Sequence, residues 1–294
     1  MPRIGRALRA LRSLLLPVLA LLLTVGVAAP AATAAPAGAR VVTSGWNDYS
    51  CKPSAAHPRP VVLIHGTAGN SVDNWLLLAP YLVKRGYCVF SLDYGQLPGV
   101  PFFHGLNSIE NSSHQLSDFV DKVLAATGTE KADLVGHSQG GGLMPRYYLN
   151  FLGGAAKVNS LTGIAPSNHG TSLSGLVNLM DLLGARNAVH DLAPGLTDQA
   201  FGSPFLKRLN SVPDTVPGVR YTTIVTRYDE IVTPYRQQYL SGPDVRNILL
   251  QDLCAVDLSE HVTIGTTDRI VAHEVANALD PAHATPTNCL SAVR

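Results

Sequence analysis

The pentapeptide at residues 136–140 is Gly-His-Ser-Gln-Gly, which fits the pattern G-x-S-x-G. An apolar run, Ala132–Gly136, precedes Ser138, and a helical pattern, Gly141–Leu152, follows it. A serine between a strand and a helix lies on a sharp turn, and the flanking glycines leave room for that turn. The Ser138 hydroxyl is therefore predicted to act as a nucleophile, with the Gln139 N–H facing the oxyanion that the attack creates. An ordinary glycine-rich turn is the alternative.

A serine nucleophile needs a base, and the base needs an orienting carboxylate. In this architecture the three groups follow one another along the chain as serine, acid and histidine. Beyond Ser138, the strand-like run Tyr221–Thr226 leads to Asp229. Because such acids lie just past the carboxyl end of a strand, Asp229 is the predicted acid and Glu230 is its main competitor.

Three of the ten histidines follow Asp229 in the sequence. His261 is predicted in a loop after the last strand and before the last helix. His273 lies inside that helix, and His283 lies in a proline-rich tail. His261 is therefore the predicted base.

A second oxyanion donor is expected from the loop after an early strand. The apolar run Val61–His65 enters the small-residue loop Gly66–Asn70. Thr67 is the predicted donor through its backbone N–H, and its hydroxyl is a candidate third donor. A loop that merely packs is the alternative, and His65 is expected to be structural.

These residues need a scaffold, and short apolar runs that alternate with helical patterns indicate one. Runs without polar alternation are typical of parallel strands that are covered on both faces. The sequence therefore predicts an α/β fold with a mostly parallel, doubly wound sheet and helices on both faces. The predicted strands are Val61–His65, Tyr87–Leu92, Ala132–Gly136, Leu161–Ala165, Tyr221–Thr226 and Asn247–Leu250. The predicted helices are Trp75–Arg85, His114–Thr127, Gly141–Leu152 and Asp268–Leu279.

The N-terminus has the order of a secretory signal peptide. Four arginines and no acidic residue precede an apolar run at 14–29, and the small residues Ala32–Ala34 follow it. We expect cleavage after Ala34, with one domain over residues 35–294; a transmembrane anchor is the alternative. Cleavage leaves 18 of the 22 basic residues against 21 acidic ones, a formal charge of −3. Without a basic excess, nucleic-acid binding is not expected.

Export makes disulfides the expected state of the four cysteines. Three pairings are possible. Cys51–Cys88 and Cys254–Cys289 are favoured because they close two local loops of similar size, and the second would tether the loop that carries His261. A metal site is disfavoured because no Cys/His pair has zinc-type spacing.

Several stretches together resemble the secreted triacylglycerol lipases of actinobacteria, within the α/β-hydrolase superfamily. The resemblance covers most of residues 45–280, and its most specific part is the stretch around Asp229. The matching stretches are Val62–Thr67, Gly136–Gly141, Asn168–Thr171, Thr226–Pro234 and Glu260–Thr263.

The resemblance implies hydrolysis of acylglycerol esters without a cofactor, by a secreted enzyme. The protein itself is expected to be a monomer. A lipid–water interface is a candidate partner, whereas stable membrane insertion is not expected. Three enzymes with the same residues remain as alternatives: a short-chain esterase, a polyester hydrolase and an acyltransferase. A catalytically inactive hydrolase fold that only binds is the non-enzyme alternative.

Two apolar segments are candidates for substrate contact. The loop Gln96–Ile109 contains Phe102, Phe103 and Leu106, which either line an acyl groove or pack into the core. The insertion Thr171–Gly202 is leucine-rich and is predicted to be a moving lid or a fixed cap helix.

Overall fold

The computed structural model describes residues 45–172 and 186–293. Within them, six parallel strands form one sheet in the order β2-β1-β3-β4-β5-β6. The chain leaves β1 towards β2 and then returns past β1 to β3, so the strand order reverses between β1 and β3. The strands are β1 (Val61–Ile64), β2 (Val89–Leu92), β3 (Ala132–His137), β4 (Val158–Ile164), β5 (Arg220–Val225) and β6 (Val245–Leu249).

Each predicted strand corresponds to a strand of the sheet, and the predicted fold class is confirmed. All residues of β1, β2 and β3 are buried, as expected for strands that are covered on both faces. The largest difference is at β4, which begins at Val158, before the predicted start at Leu161. The half-buried Asn159 interrupts the apolar pattern there and hides the start of the strand.

Nine α-helices lie in the described residues, and four of them correspond to the predicted ones. The other five helices span four to seven residues, which is at most about two turns of a helical period. The helices are α1 (Leu78–Lys84), α2 (Ile109–Thr127), α3 (Leu143–Phe151), α4 (Arg186–Leu192), α5 (Pro194–Asp198), α6 (Pro204–Leu209), α7 (Leu250–Leu253), α8 (His261–Thr266) and α9 (Arg269–Leu279).

Helix α2 begins before the predicted His114 because Ser108 caps it. The Ser108 hydroxyl accepts a hydrogen bond from the Asn111 N–H at 3.2 Å. The polar first turn hides this start from a hydrophobic pattern. Gly128, with φ of +74°, ends the helix in the left-handed conformation.

Two hydrophobic clusters cover the two faces of the sheet. Successive side chains of a strand point to opposite faces. Accordingly, Val62 and Ile64 belong to a cluster with α2 and α3, whereas Val61 and Leu63 belong to a cluster with α1 and α9. The sheet is therefore a buried, rigid platform for the loops at its carboxyl edge.

The structure contains the favoured disulfides, Cys51–Cys88 and Cys254–Cys289. The second joins the residue after α7 to the C-terminal turn Cys289–Val293. The predicted leader, residues 1–34, lies outside the described residues. Over 45–172 and 186–293, no helix is both long and apolar enough to cross a membrane.

Candidate active site

Ser138 lies at the tight turn between β3 and the helical segment that leads into α3. Its φ is +55°, a left-handed conformation that is uncommon for a residue with a side chain. A methyl group on Gly136 would collide with the backbone of Gly140, and one on Gly140 would collide with the backbone of His65. Both glycines of the pentapeptide are therefore required by backbone packing, as the sequence pattern predicts.

The structure brings Ser138, His261 and Asp229 together in one hydrogen-bonded line. His261 Nε2 lies 3.0 Å from Ser138 Oγ, and His261 Nδ1 lies 2.8 Å from Asp229 Oδ2. All three residues are buried. Since the Asp229 carboxylate holds a proton on Nδ1, Nε2 of the neutral ring is free to accept the Ser138 proton.

The sequence predicts His261 in a loop, but in the structure His261 is the first residue of α8. Glu260 caps this helix: its carboxylate accepts the backbone N–H groups of Val262 and Thr263, and the Thr263 hydroxyl accepts the Glu260 N–H. This capping box is hidden from the sequence because α8 spans only residues 261–266. The cap fixes the backbone from which the imidazole projects.

The Asp229 carboxylate accepts four hydrogen bonds. Oδ1 accepts the backbone N–H groups of Ile231, at 2.9 Å, and Val232, at 2.7 Å. Oδ2 accepts His261 Nδ1 and the Gln238 side-chain amide, each at 2.8 Å. Burial tends to raise the pKa of Asp229, but His261 and the backbone hydrogen bonds outweigh it and hold that pKa below its usual value. Asp229 is therefore ionised.

Three carboxylates act on the charge of His261. Burial lowers the pKa of the imidazole, but Asp229, Glu230 and Glu260 outweigh it, so the pKa is raised above its usual value. Glu230, the competitor for the role of the acid, contacts the backbone of His261: its Oε2 accepts the His261 N–H at 3.3 Å.

Thr67 and Gln139 lie beside each other, next to Ser138. The Gln139 side-chain amide donates to Thr67 Oγ1 at 3.0 Å. Gln199 donates to the same oxygen at 2.9 Å. Because two donors occupy the acceptor positions of the hydroxyl, its own proton is left to donate elsewhere. Within the described residues, no hydrogen bond occupies the backbone N–H of Thr67 or Gln139.

Asn74 and His137 connect the loops of the site, and the sequence analysis missed both. Asn74 Oδ1 accepts the Gly66 N–H at 2.9 Å, and its Nδ2 donates to the Gly265 carbonyl at 3.2 Å. Burial lowers the pKa of His137 to about 3, so its ring is neutral. Polar residues whose partners are far away in the chain leave no local pattern that could have identified them.

The three predicted substrate residues differ in their exposure to solvent. Phe102 and Phe103 are exposed, at 75% and 37%, whereas Leu106 is buried at 4%. His65 is buried and stacks on Tyr94 with the ring centroids 4.2 Å apart. Of the predicted lid or cap insertion, residues 173–185 lie outside the described residues, and α4 and α5 follow them. Across the described ranges, no group of three or more His, Cys, Asp or Glu side chains could hold a metal ion.

Comparison with known proteins connects this arrangement to lipases. Residues 58–270 match the family described as lipase (class 2). Two curated triacylglycerol lipases, from Pseudarthrobacter phenanthrenivorans and Burkholderia plantarii, are each 41% identical over 98 residues. These alignments cover 32% of this chain but only 28% and 25% of the two relatives.

The fold matches that of a solved lipase. The crystal structure of Aspergillus fumigatus lipase B has a TM-score of 0.62 and 22% sequence identity. The superposition covers 82% of this chain and 55% of that chain. At this identity the likeness concerns the fold alone.

Proposed function

Because this chain belongs to the lipase (class 2) family, we propose that it is a secreted lipase that hydrolyses carboxylic esters of the acylglycerol class. Ser138 is the nucleophile, His261 the base and Asp229 the orienting acid. The observation that carries the proposal is the line of hydrogen bonds from Asp229 through His261 to Ser138, at 2.8 Å and 3.0 Å. It lies at the carboxyl end of β3, next to the point where the strand order reverses, which is where α/β sheets bind ligands.

The acylation step follows from these contacts. The Ser138 oxygen attacks the ester carbonyl carbon while its proton passes to His261 Nε2. The carbonyl oxygen becomes an oxyanion, to which Thr67 and Gln139 donate their backbone N–H groups. When the tetrahedral intermediate collapses, the bond to the alcohol oxygen breaks. His261 gives its proton to that departing oxygen, so the neutral alcohol leaves and the acyl group stays on Ser138.

Deacylation repeats these steps with water. His261 takes a proton from a water molecule, whose oxygen attacks the acyl carbon. The oxyanion forms again beside Thr67 and Gln139. On collapse, the bond to Ser138 breaks, the serine recovers its proton from His261, and the carboxylic acid leaves. Asp229 stays ionised and stabilises the charged imidazole in both halves of the reaction.

The exposed apolar side chains support a lipid substrate. Nine large ones are well exposed among the described residues. Eight lie on segments that follow carboxyl ends of strands, and the ninth is next to Cys289, which is bonded to Cys254. Segments that follow strands start from the edge of the sheet that carries Ser138, which supports contact between a lipid surface and the site. The nine are Val72, Leu76, Phe102, Phe103, Tyr228, Val256, Leu258, Val262 and Leu290.

Secretion is supported by two features. The first is the leader pattern of residues 1–34. The second is the pairing of all four cysteines in disulfides, which persist in oxidising compartments.

The direct test combines a fluorophosphonate label with the variant Ser138→Ala. The wild-type protein is expected to be labelled at Ser138 and to hydrolyse emulsified triglycerides, whereas the variant does neither. Ser211→Ala, at an exposed serine, is the matched control and keeps both properties. Labelling at another serine, or full activity of Ser138→Ala, would refute the proposal. Esters of increasing chain length then separate a lipase from a short-chain esterase.

A further inference from the structure

The segment Asn168–Thr171, one of the stretches that resemble lipases, has no part in the mechanism above. It lies against the acid loop, residues 230–238. The Asn168 side-chain amide donates to the backbone carbonyl of Gln238, and His169 Nδ1 donates to that of Gln237 at 2.8 Å. The Thr171 hydroxyl donates to a third carbonyl of the loop. The segment therefore holds the backbone that presents the Gln238 side chain.

Gln238 is fully buried, and its side chain faces the acid of the site. Its Nε2 donates to Asp229 Oδ2 at 2.8 Å and to the Val232 carbonyl at 3.2 Å. Its Oε1 is buried, and among the residues that the structure describes it has no hydrogen-bond partner. A buried, unpaired carbonyl oxygen is destabilising because it has lost its hydrogen bonds to water without gaining a partner in the protein. Such an orphaned group in a native structure calls for an explanation.

The orientation of the amide follows from its surroundings. A flipped amide would place Oε1 against the ionised Oδ2 of Asp229 and against the Val232 carbonyl. Both of those oxygens only accept hydrogen bonds, so the flip would lose two bonds and add repulsion. The amide orientation in which Gln238 Nε2 donates to Asp229 is therefore favoured, although it leaves Oε1 unpaired.

We propose that Gln238 is a positioning residue for Asp229, held in place by the segment Asn168–Thr171. The proposal rests on the proposed function, in which Asp229 orients His261. With Gln238, each carboxylate oxygen accepts two hydrogen bonds, so the carboxylate cannot rotate about its axis without losing bonds. Oδ2 thus stays directed at His261 Nδ1, and part of its negative charge is offset by the amide.

The charge argument predicts a readout besides activity. The charged and titratable groups that face His261 are Asp229, Glu230, Glu260 and His137. Without the amide, the negative charge on Asp229 Oδ2 is less compensated and stabilises the imidazolium more strongly. The pKa of His261 then rises. The acid limb of the kcat/KM profile moves to higher pH, which a residue with only a packing role would not cause.

The experiment compares Gln238→Leu and Gln238→Glu with the same changes at Gln237. Gln237 is adjacent and exposed, so its variants control for the chemistry of the substitution. Activity is measured on a soluble ester, and the active fraction is titrated with a fluorophosphonate. For Gln238→Leu we expect a roughly tenfold lower kcat, little change in KM and an acid limb at higher pH. Gln238→Glu adds a negative charge and is expected to move the acid limb to still higher pH.

Stability separates positioning from a structural role. Gln238→Leu also removes the orphaned Oε1, so its Tm is expected to stay close to that of the wild-type protein. A kcat within twofold of the Gln237 variants, with an unshifted pH profile, would overturn the proposal. So would a loss of activity that merely follows a lower Tm or a lower active fraction. Labelling of the wild-type protein away from Ser138 would instead refute the proposed function.

Discussion

His137 Nε2 donates a hydrogen bond of 2.9 Å to the backbone carbonyl of His261. The residue before the predicted nucleophile thus holds the first turn of the helix that carries the predicted base. A methyl group on Gly265 would collide with the His137 ring, so the two segments pack without a gap. The separation between serine and imidazole depends on this bond as well as on the sheet.

Replacing His137 is expected to reduce the rate without preventing substrate binding. His137→Leu keeps the apolar contacts of the ring but removes the bond to the His261 carbonyl. Because a small misplacement of a catalytic group is costly, kcat is expected to fall about tenfold to a hundredfold, with KM little changed. The matched control is His114→Leu, at an exposed position of α2. Equal kcat values for the two variants would contradict this role.

The Thr67 hydroxyl is expected to be a third oxyanion donor. Thr67→Val removes the hydroxyl and keeps the backbone N–H, so kcat is expected to fall about a hundredfold. Thr67→Ser keeps the hydroxyl and is expected to retain most of the activity. Steady-state kinetics on a soluble ester checks both. A valine variant as active as the serine variant would leave only the two backbone donors.

The pH dependence is expected to respond to Glu230. The base must be neutral to accept a proton, so activity is lost as the pH falls through the raised pKa of His261. Glu230→Gln removes one negative charge that raises this pKa. The acid limb of kcat/KM should therefore move to lower pH. The control is Glu130→Gln, at an exposed position before the amino end of β3, which should leave the acid limb in place. The same acid limb in both variants would refute the effect of Glu230.

The exposed apolar residues after α7 are expected to matter at interfaces and not in solution. Val256 and Leu258 are 78% and 70% exposed. The double change Val256→Ser and Leu258→Ser should lower the rate on emulsified triglycerides, because less apolar surface is available to enter the lipid. Its kcat/KM on a soluble short-chain ester should be unchanged. Parallel losses on both substrates would indicate damage to the site instead.

The strands and helices that could be predicted are those with an apolar pattern long enough to be recognised in the sequence. For β1 the sequence predicts Val61–His65, and the strand is Val61–Ile64, because four successive buried apolar residues leave no ambiguity. Helix α8 could not be predicted, since a helix of six residues shows less than two turns of periodicity. A polar capping box, and not an apolar face, sets its start.

The predicted site residues differ from the missed ones in how their positions are determined. The order of serine, acid and histidine follows from the order of strands in the fold, so Ser138, Asp229 and His261 could be selected from the sequence. Their supporting residues obey no such order. Gln199 lies 132 residues from its partner Thr67, and only the folded chain shows that they meet.

The pairing of β1 with β3 sets the spacing between the starting points of two loops of the site. Ile64 is the register partner of Gly136, so Thr67 and Ser138 leave neighbouring strands from level positions. Neighbouring strands lie about 4.8 Å apart, a spacing dictated by backbone hydrogen bonds and not by side chains. The loops that carry Thr67, the predicted oxyanion donor, and Ser138, the predicted nucleophile, therefore begin about one strand spacing apart. Because backbone hydrogen bonds set this spacing, substitutions among the surrounding side chains are expected to leave the starting points of the two loops unchanged.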